Sequence, residues 1–207
     1  MGRIKAFIEK HPYLFESLRS EKVFPHDELM ARTVLKAFPR TVTPNEVTLF
    51  RIIATPFVFL LILYDYLDIG IVAFILVAFT DAIDGSMART RHQITRFGML
   101  FDPLADKFLI GSMVLLLVFK NFNFWLGFGI LGVEIILIMT ALVAKIKFKT
   151  VRAANRWGKL KMILQVAAVF LTLLALLLDF PSLLTYAAGL FGLAIGAAIV
   201  SLFAHSI

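Results

Sequence analysis

Six apolar runs of near-membrane length constrain the fold of this chain more than any other feature. The hydrocarbon core of a bilayer is about 30 Å thick and needs roughly 20 apolar residues per helix. The runs cover residues 47–64, 69–82, 99–119, 124–144, 160–178 and 183–203. The second is short, and we expect its helix to continue through residues 81–89. Four residues keep one side of that extension apolar: Ala82, Ile83, Met87 and Ala88.

Composition agrees with an all-α, polytopic membrane protein of six transmembrane helices. Hydrophobic residues make up 60% of the 207 and charged residues only 17%, with a mean hydropathy of +0.88. Soluble domains are about half apolar and about a quarter charged. Disorder and collagen-like repeats are excluded, and the absence of cysteine excludes a disulfide-stapled fold. The net charge of +7 fits nucleic acid, anionic lipid or a phosphorylated substrate.

If the six helices span the membrane, nearly all positive charges fall on one side of it. Of the 21 Lys and Arg residues, 20 fall on the side of the two chain ends, and Lys120 alone falls on the other. The positive-inside rule places the charged side in the cytoplasm. We therefore expect a multi-pass protein of the cell membrane with both termini cytoplasmic, membrane lipid as a partner, and no nucleic-acid partner.

The sequence divides into an N-terminal segment, residues 1–42, and a six-helix membrane domain, residues 43–207. The first 40 residues are too polar to span a bilayer. Apolar residues from Ile4 to Leu18 recur at near-helical spacing among cationic ones. That pattern is typical of an amphipathic helix in the headgroup plane. A cytoplasmic helix packed on its own protein fits equally well.

Four aspartates crowd one membrane boundary. Asp81 and Asp84 are three residues apart, and Asp102 and Asp106 are four apart, so each pair shares one helical face. A turn between the two helices would bring the two pairs together. Four carboxylates at such short distances cannot all stay ionised without a cation. Oxygen ligands favour two Mg²⁺ or Mn²⁺ ions over zinc. Alternatively, the aspartates form a structural charge network with four nearby cations: Arg89, Arg91, Arg96 and Lys107.

The four aspartates belong to a long motif of fixed spacing. The sequence from Asp81 to Asp106 reads D-x-x-D-G-x-x-A-R-x8-G-x3-D-x3-D and resembles the signature of the CDP-alcohol phosphotransferases at all eight fixed positions. The resemblance extends from Pro44 to the C-terminus and includes the six helices. It implies an enzyme that moves a substituted phosphoryl group from a CDP-linked donor to an alcohol and releases CMP.

The resemblance also implies roles for individual residues. Asp81, Asp84 and Asp102 would ligate two divalent ions, and Asp106 would contact the metal and act as the catalytic base. The stretch from Pro44 to Arg51 is similar to the P-N-x-x-T-x-x-R opening of the family's first helix. The residues implied at the CDP site are Asn45, Thr48, Asp81, Asp84, Gly85, Ala88, Arg89 and Gly98. Pro44 and Asn45 also suit the first position and cap of a helix.

The acceptor alcohol is less tightly constrained. Residues 154–165 are similar to the helix-five opening of the phosphatidylglycerophosphate synthases, although Met162 replaces their usual threonine and Val133 their usual arginine. This subfamily implies CDP-diacylglycerol as donor and glycerol 3-phosphate as acceptor, in phospholipid biosynthesis. The cations proposed for the acceptor phosphate are Arg96, Lys107, Arg152, Lys159 and Lys161.

Other functions stay open at this point. Within the family, the acceptor could be phosphatidylglycerol, as in a cardiolipin synthase, or an inositol phosphate. Outside enzymes, intramembrane aspartates also occur in small cation transporters. The resemblance leaves a homodimer open, although the sequence indicates no interface.

Overall fold

The computed structural model describes residues 23–39, 41–148 and 156–203, and these ranges are helical without a β-strand. A 3₁₀ helix, Val34–Ala37, follows the first α-helix. The α-helices are α1 (Pro25–Arg32), α2 (Pro44–Leu63), α3 (Leu67–Thr90), α4 (Arg96–Asn121), α5 (Phe124–Phe148), α6 (Arg156–Leu177) and α7 (Ser182–Phe203). Each of the six apolar runs thus lies in one long helix, and α3 continues through the signature to Thr90 as expected.

Three of the helices, α2, α4 and α6, begin about one turn before their apolar runs do. In α2 the helix starts at Pro44, whose fixed φ and missing N–H suit the first helical position. Thr43 precedes it, and the Thr43 backbone N–H donates to the Glu46 side chain at 2.9 Å. A search for apolar residues leaves out such polar first turns, and the same applies to the starts of α4 at Arg96 and α6 at Arg156.

Tight turns with left-handed residues separate successive helices. Asp65 (φ 63°) follows α2, His92 (φ 55°) follows α3, and Asp179 (φ 48°) follows α6. Aspartate and histidine are enriched among the non-glycine residues that adopt this region. The chain reverses direction there, so α3 packs against α2, and α7 packs against α6.

The chain divides into two compact units, Met1–Leu109 and Ile110–Ile207. In the first unit, α1, the 3₁₀ helix and α2 pack against α3. In the second, α7 packs against α5 and α6. All four signature aspartates belong to the first unit, and so does helix α1.

The described part of the N-terminal segment packs on its own protein. Leu35 of the 3₁₀ helix lies in an apolar cluster with Val47 of α2 and with Ile83 and Met87 of α3. Arg91 donates to the backbone carbonyls of the same segment, including Phe38 at 2.9 Å and Val42 at 3.0 Å. Residues 1–22 lie outside the described residues, and an interfacial position for the segment remains a prediction.

Three described helices are long and apolar enough to cross a membrane, by length and composition: Pro44–Leu63, Arg156–Leu177 and Ser182–Leu202. The first shows how such a helix divides its faces. Phe50, Ile53 and Phe57 are exposed. On another face Arg51 and Thr55 are buried beside Val58 and Ile62, so α2 directs these two polar side chains into the protein.

Candidate active site

The guanidinium of Arg51 lies among three of the four signature aspartates. This side chain projects from α2 and is fully buried. Its Nη1 donates to Asp81 Oδ1 at 2.8 Å and to Asp106 Oδ1 at 2.5 Å. Its Nη2 donates to Asp84 Oδ2 at 2.5 Å, and Nε donates to Thr80 Oγ1 at 3.2 Å. One cation on α2 therefore joins carboxylates from α3 and α4.

Thr48, one turn before Arg51, links the fourth aspartate to the same group. Its hydroxyl donates to Asp102 Oδ1 at 2.7 Å and also lies 3.1 Å from Asp84 Oδ2. The two aspartate pairs thus meet across Thr48 and Arg51, as the helical spacing and the turn between α3 and α4 predict. We call these six residues the aspartate cluster.

The aspartates pair with a different cation from the four that the alternative charge network would use. Asp81, Asp84 and Asp106 form their ion pairs with Arg51. Two of the other arginines have other partners: Arg89 pairs with Asp27, and Arg91 donates to backbone carbonyls. Arg96 and Lys107 are exposed. Sequence reasoning had not assigned Arg51 this central position.

Burial differs sharply among the carboxylates. The Asp84 side chain is 2% exposed, that of Asp106 25%, and that of Asp81 47%. A charge as buried as that of Asp84 is tolerated only when it is paired and hydrogen-bonded. Asp81 and Asp106 instead combine a contact to Arg51 with access from outside, which suits groups that meet a ligand.

The donor set fits a hard divalent cation, although no metal cage is preformed. Across the described ranges, no three His, Cys, Asp or Glu side chains are placed to hold one metal ion. However, Asp84 Oδ1 is buried, and no donor in the described part of the chain reaches it. A buried carboxylate oxygen without a partner is costly and calls for one. With three further carboxylates nearby, all ligands are the oxygens that Mg²⁺ and Mn²⁺ prefer.

A second polar group adjoins the cluster at the start of α4. The Thr95 hydroxyl donates to Asn45 Oδ1 at 2.8 Å, and the Gly98 N–H donates to Thr95 Oγ1 at 3.0 Å. A Cβ on Gly98 would lie 3.2 Å from Asn45 Oδ1 and 3.4 Å from Asp102 Oδ2. A side chain larger than that of glycine would therefore crowd both oxygen atoms. Asn45 does not cap α2, because the cap is Thr43, so its side chain is available to this group.

Arg89 is held by a residue that the sequence did not single out. Its Nε and Nη2 donate to Asp27 of α1 at 2.8 and 2.7 Å, and Ser86 Oγ donates to Asp27 Oδ1 at 2.7 Å. The hydrogen bonds from Arg89 hold the pKa of the Asp27 carboxyl well below its usual range, so it stays ionised. Gly85 and Ala88, also predicted at the CDP site, lie half-buried on the same stretch of α3.

Four of the five cations predicted for an acceptor phosphate lie in the described part of the chain. Arg96 and Lys107 of α4 are exposed, as is Lys159 of α6. Lys161 Nζ donates to Glu134 Oε1 at 2.5 Å, and Gln165 Nε2 donates to the same oxygen at 3.0 Å. Arg152 lies outside the described residues.

Two residues escaped sequence reasoning for different reasons. Arg51 carried a signal, since an arginine inside an apolar run marks a functional site by default. The resemblance gives it only as the last residue of the helix-one motif, which contributes to nucleotide binding, and assigns it no role of its own. Asp27 carried none, because it sits in a polar segment beside Glu28 and nothing in the sequence tells the two apart.

Comparison with known proteins identifies the same family that the signature motif resembles. Residues 41–201 match the model of a family described as CDP-alcohol phosphatidyltransferase. A protein of Rickettsia felis named CDP-diacylglycerol–glycerol-3-phosphate 3-phosphatidyltransferase is 38% identical over 38% of this chain and 45% of its own length. Proteins of the same name from Haemophilus influenzae and Bacillus subtilis are 32% and 33% identical. Those matches cover 61% and 63% of this chain, and 72% and 76% of the relatives. The chain thus spans less than half of the first relative's length.

Proposed function

The chain belongs to the CDP-alcohol phosphatidyltransferase family, and we propose that it transfers a phosphatidyl group from CDP-diacylglycerol to the hydroxyl of glycerol 3-phosphate and releases CMP. The observation that carries the proposal is the aspartate cluster, in which all four signature carboxylates meet around Arg51 and Thr48. Three relatives named for this donor and acceptor support the choice of substrates.

In this proposal, Asp81, Asp84, Asp102 and Asp106 hold two divalent ions, Mg²⁺ or Mn²⁺. When bound, such ions neutralise the charge of a diphosphate and of the departing CMP. Arg51 sets the positions of three of these carboxylates, and Thr48 sets that of Asp102. Asn45, Thr48, Gly85, Ala88, Arg89 and Gly98 line the site of the CDP moiety together with Asp81 and Asp84.

Asp106 is the proposed base. Its carboxylate is anchored through Oδ1 to Arg51 Nη1 and is a quarter exposed, so it can meet a substrate hydroxyl. The hydroxyl oxygen attacks the phosphorus that carries diacylglycerol, and its proton passes to Asp106. The bond from that phosphorus to the bridging oxygen breaks, and CMP leaves with the bridging oxygen. Phosphoryl transfer needs positioning and charge neutralisation above all, which the aspartate cluster provides.

Exposed cations are the proposed contacts of the acceptor phosphate. Arg96, Lys107 and Lys159 present charges that no described carboxylate contacts. Lys161 would have to exchange Glu134 for the phosphate, and Arg152 completes the proposed set. Their number suits a phosphorylated alcohol better than a neutral one, since each charge-assisted contact favours a dianion.

We place the enzyme in the cell membrane with α2–α7 spanning it and the aspartate cluster on the cytoplasmic side. The asymmetry of Lys and Arg supports this orientation, and residues 1–42 then lie in the cytoplasm or at its membrane surface. The chain contains no cysteine, so single introduced cysteines report sidedness without background. A cysteine at Lys120 should react with an impermeant thiol reagent from outside, and one at Lys159 should not. The reverse labelling would overturn the orientation.

The test of function is CMP release by the purified protein. With CDP-diacylglycerol and Mg²⁺, glycerol 3-phosphate should support faster release than inositol phosphate, phosphatidylglycerol or serine offered side by side. Release with none of the four acceptors would overturn the proposal. A preference for inositol phosphate or phosphatidylglycerol would retain the family reaction but reject the acceptor.

A variant separates catalysis from folding. Asp106→Asn should lower turnover by at least about 100-fold, the usual contribution of a base, while most of the CDP binding remains. Asp68→Asn, at an exposed carboxylate in the first turn of α3, is the matched control and should leave turnover unchanged. Loss of the fold in Asp106→Asn would instead indicate a structural charge network, and normal turnover would mean that Asp106 is not the base.

A further inference from the structure

Asp27 is a buried carboxylate, and burial of a charged group is costly unless the group is paired and hydrogen-bonded. Its side chain is 0% exposed. It accepts hydrogen bonds from the Phe24 backbone N–H at 3.0 Å, from Ser86 Oγ and from two nitrogens of Arg89. The first bond belongs to the start of α1 itself. The other three come from α3, across 59 to 62 residues of sequence.

These contacts fix the direction of the Arg89 side chain. Two hydrogen bonds from Nε and Nη2 to one carboxylate hold the guanidinium plane in a single orientation. In that orientation the guanidinium lies over Gly85, one turn back along α3. A Cβ added to Gly85 would lie 3.4 Å from Arg89 Nη1 and 3.4 Å from Nη2. The Phe24 ring lies 6.0 Å from the guanidinium carbon.

Attachment of α1 to α3 does not by itself need Asp27. Met30 and Ala31 of α1 pack against the apolar cluster that contains Met87 of α3, and Arg91 donates to four carbonyls of the chain between α1 and α2. The contacts of Asp27 instead concentrate on Arg89, which adjoins Gly85 and lies on the helix that carries Asp81 and Asp84.

We propose that Asp27 is a positioning residue of the nucleotide site, which holds the Arg89 guanidinium over Gly85 and thereby raises the affinity for the CDP moiety of the donor. The inference rests on the proposed function. A free arginine side chain loses much rotamer freedom when it grips a ligand, and a side chain ordered beforehand loses less. The N-terminal segment thus contributes a residue to the site, although it lies outside the signature and the matched family region.

The experiment compares Asp27→Asn with Glu28→Gln in the full-length, detergent-purified protein. Asparagine keeps the size of the side chain and one acceptor oxygen, but it loses the charge and the second acceptor oxygen that together orient Arg89. We expect CDP binding, measured by calorimetry, to weaken about tenfold. The KM for CDP-diacylglycerol should rise by the same factor with kcat within about twofold. Glu28→Gln, beside it but exposed, should change neither.

A double variant distinguishes positioning from a purely structural role. If Asp27 acts through Arg89, Asp27→Asn should add nothing to the loss of CDP affinity caused by Arg89→Gln. Equal losses in both backgrounds would overturn the inference, and so would an unchanged CDP affinity in Asp27→Asn. Should Asp27→Asn fail to fold, Arg89→Lys tests the same geometry, because lysine keeps the charge without the paired contact. Unchanged CDP affinity in that variant would likewise overturn the inference.

Different results would contradict the proposed function and the proposed role of Asp27. If the wild-type protein neither binds CDP nor releases CMP, the proposed function is wrong and the inference falls with it. If the wild-type protein binds and turns over its donor while Asp27→Asn matches it, only the role of Asp27 is wrong.

Discussion

Replacing Arg51 by glutamine tests whether this guanidinium holds the aspartate cluster together. Removing one partner of a buried ion pair costs about 3–5 kcal/mol, because the remaining charge stays buried. Asp84, 2% exposed, is in that position. Asp81, 47% exposed, contributes under about 1 kcal/mol, as exposed pairs do. We therefore expect the free energy of unfolding to fall by about 3–5 kcal/mol, mostly through Asp84.

The measurement is unfolding of the detergent-solubilised protein, followed by far-ultraviolet circular dichroism. Adding Asp84→Asn to Arg51→Gln should recover most of the loss, because no uncompensated buried charge remains. Arg32→Gln is the control, since Arg32 pairs with Glu28 at 3.7 Å on the surface and should cost under about 1 kcal/mol. The reasoning is refuted if Arg51→Gln costs no more than this control, or if Asp84→Asn lowers stability further.

Two further predictions concern the neighbouring groups. Gly98→Ala should weaken CDP binding several-fold without loss of helix stability, because the new Cβ would crowd Asn45 and Asp102. The measurement is calorimetric titration with CDP. Gly111→Ala is the control, since its Cβ would meet nothing within 4 Å, and it should leave CDP binding unchanged. Since Arg89 lowers the pKa of Asp27, their pair stabilises α1 fully above pH about 4 and progressively less below it. Hydrogen-exchange protection of α1 should accordingly not fall between pH 7 and 5, and a loss within that range would contradict the assignment.

The helices could be predicted because one physical requirement dominates them. A run long enough to cross a bilayer leaves few alternatives to a helix, since backbone groups must be satisfied internally. The extension of α3 through the signature followed from an apolar side, and Ile83 and Met87 are indeed buried there. The first turns, such as that at Pro44, could not be found by the same rule, because their polar residues form caps and hydrogen bonds within the protein rather than contacts with lipid.

The site was predictable only where its residues are close in sequence. Spacings of three and four place Asp81 with Asp84, and Asp102 with Asp106, on shared helical faces. Arg51 is separated from Asp84 by 33 positions and from Asp106 by 55, and its contacts depend on the rotation of α2 about its own axis. Asp27 is separated from Arg89 by 62 positions. Neither contact follows from any periodicity, because both are products of tertiary packing.

Arg51 also bears on how many divalent ions the aspartate cluster can take. Its one positive charge offsets one of four carboxylates, so three negative charges remain when all four are ionised. A single divalent ion would leave the cluster negative, and a diphosphate would then be repelled, whereas two ions reverse the sign before the donor arrives. CDP binding should therefore vanish when EDTA removes divalent ions and return with Mg²⁺. Equal CDP affinity with and without EDTA would mean that Arg51 and Arg89 bind the diphosphate unaided, and the two-ion proposal would be wrong.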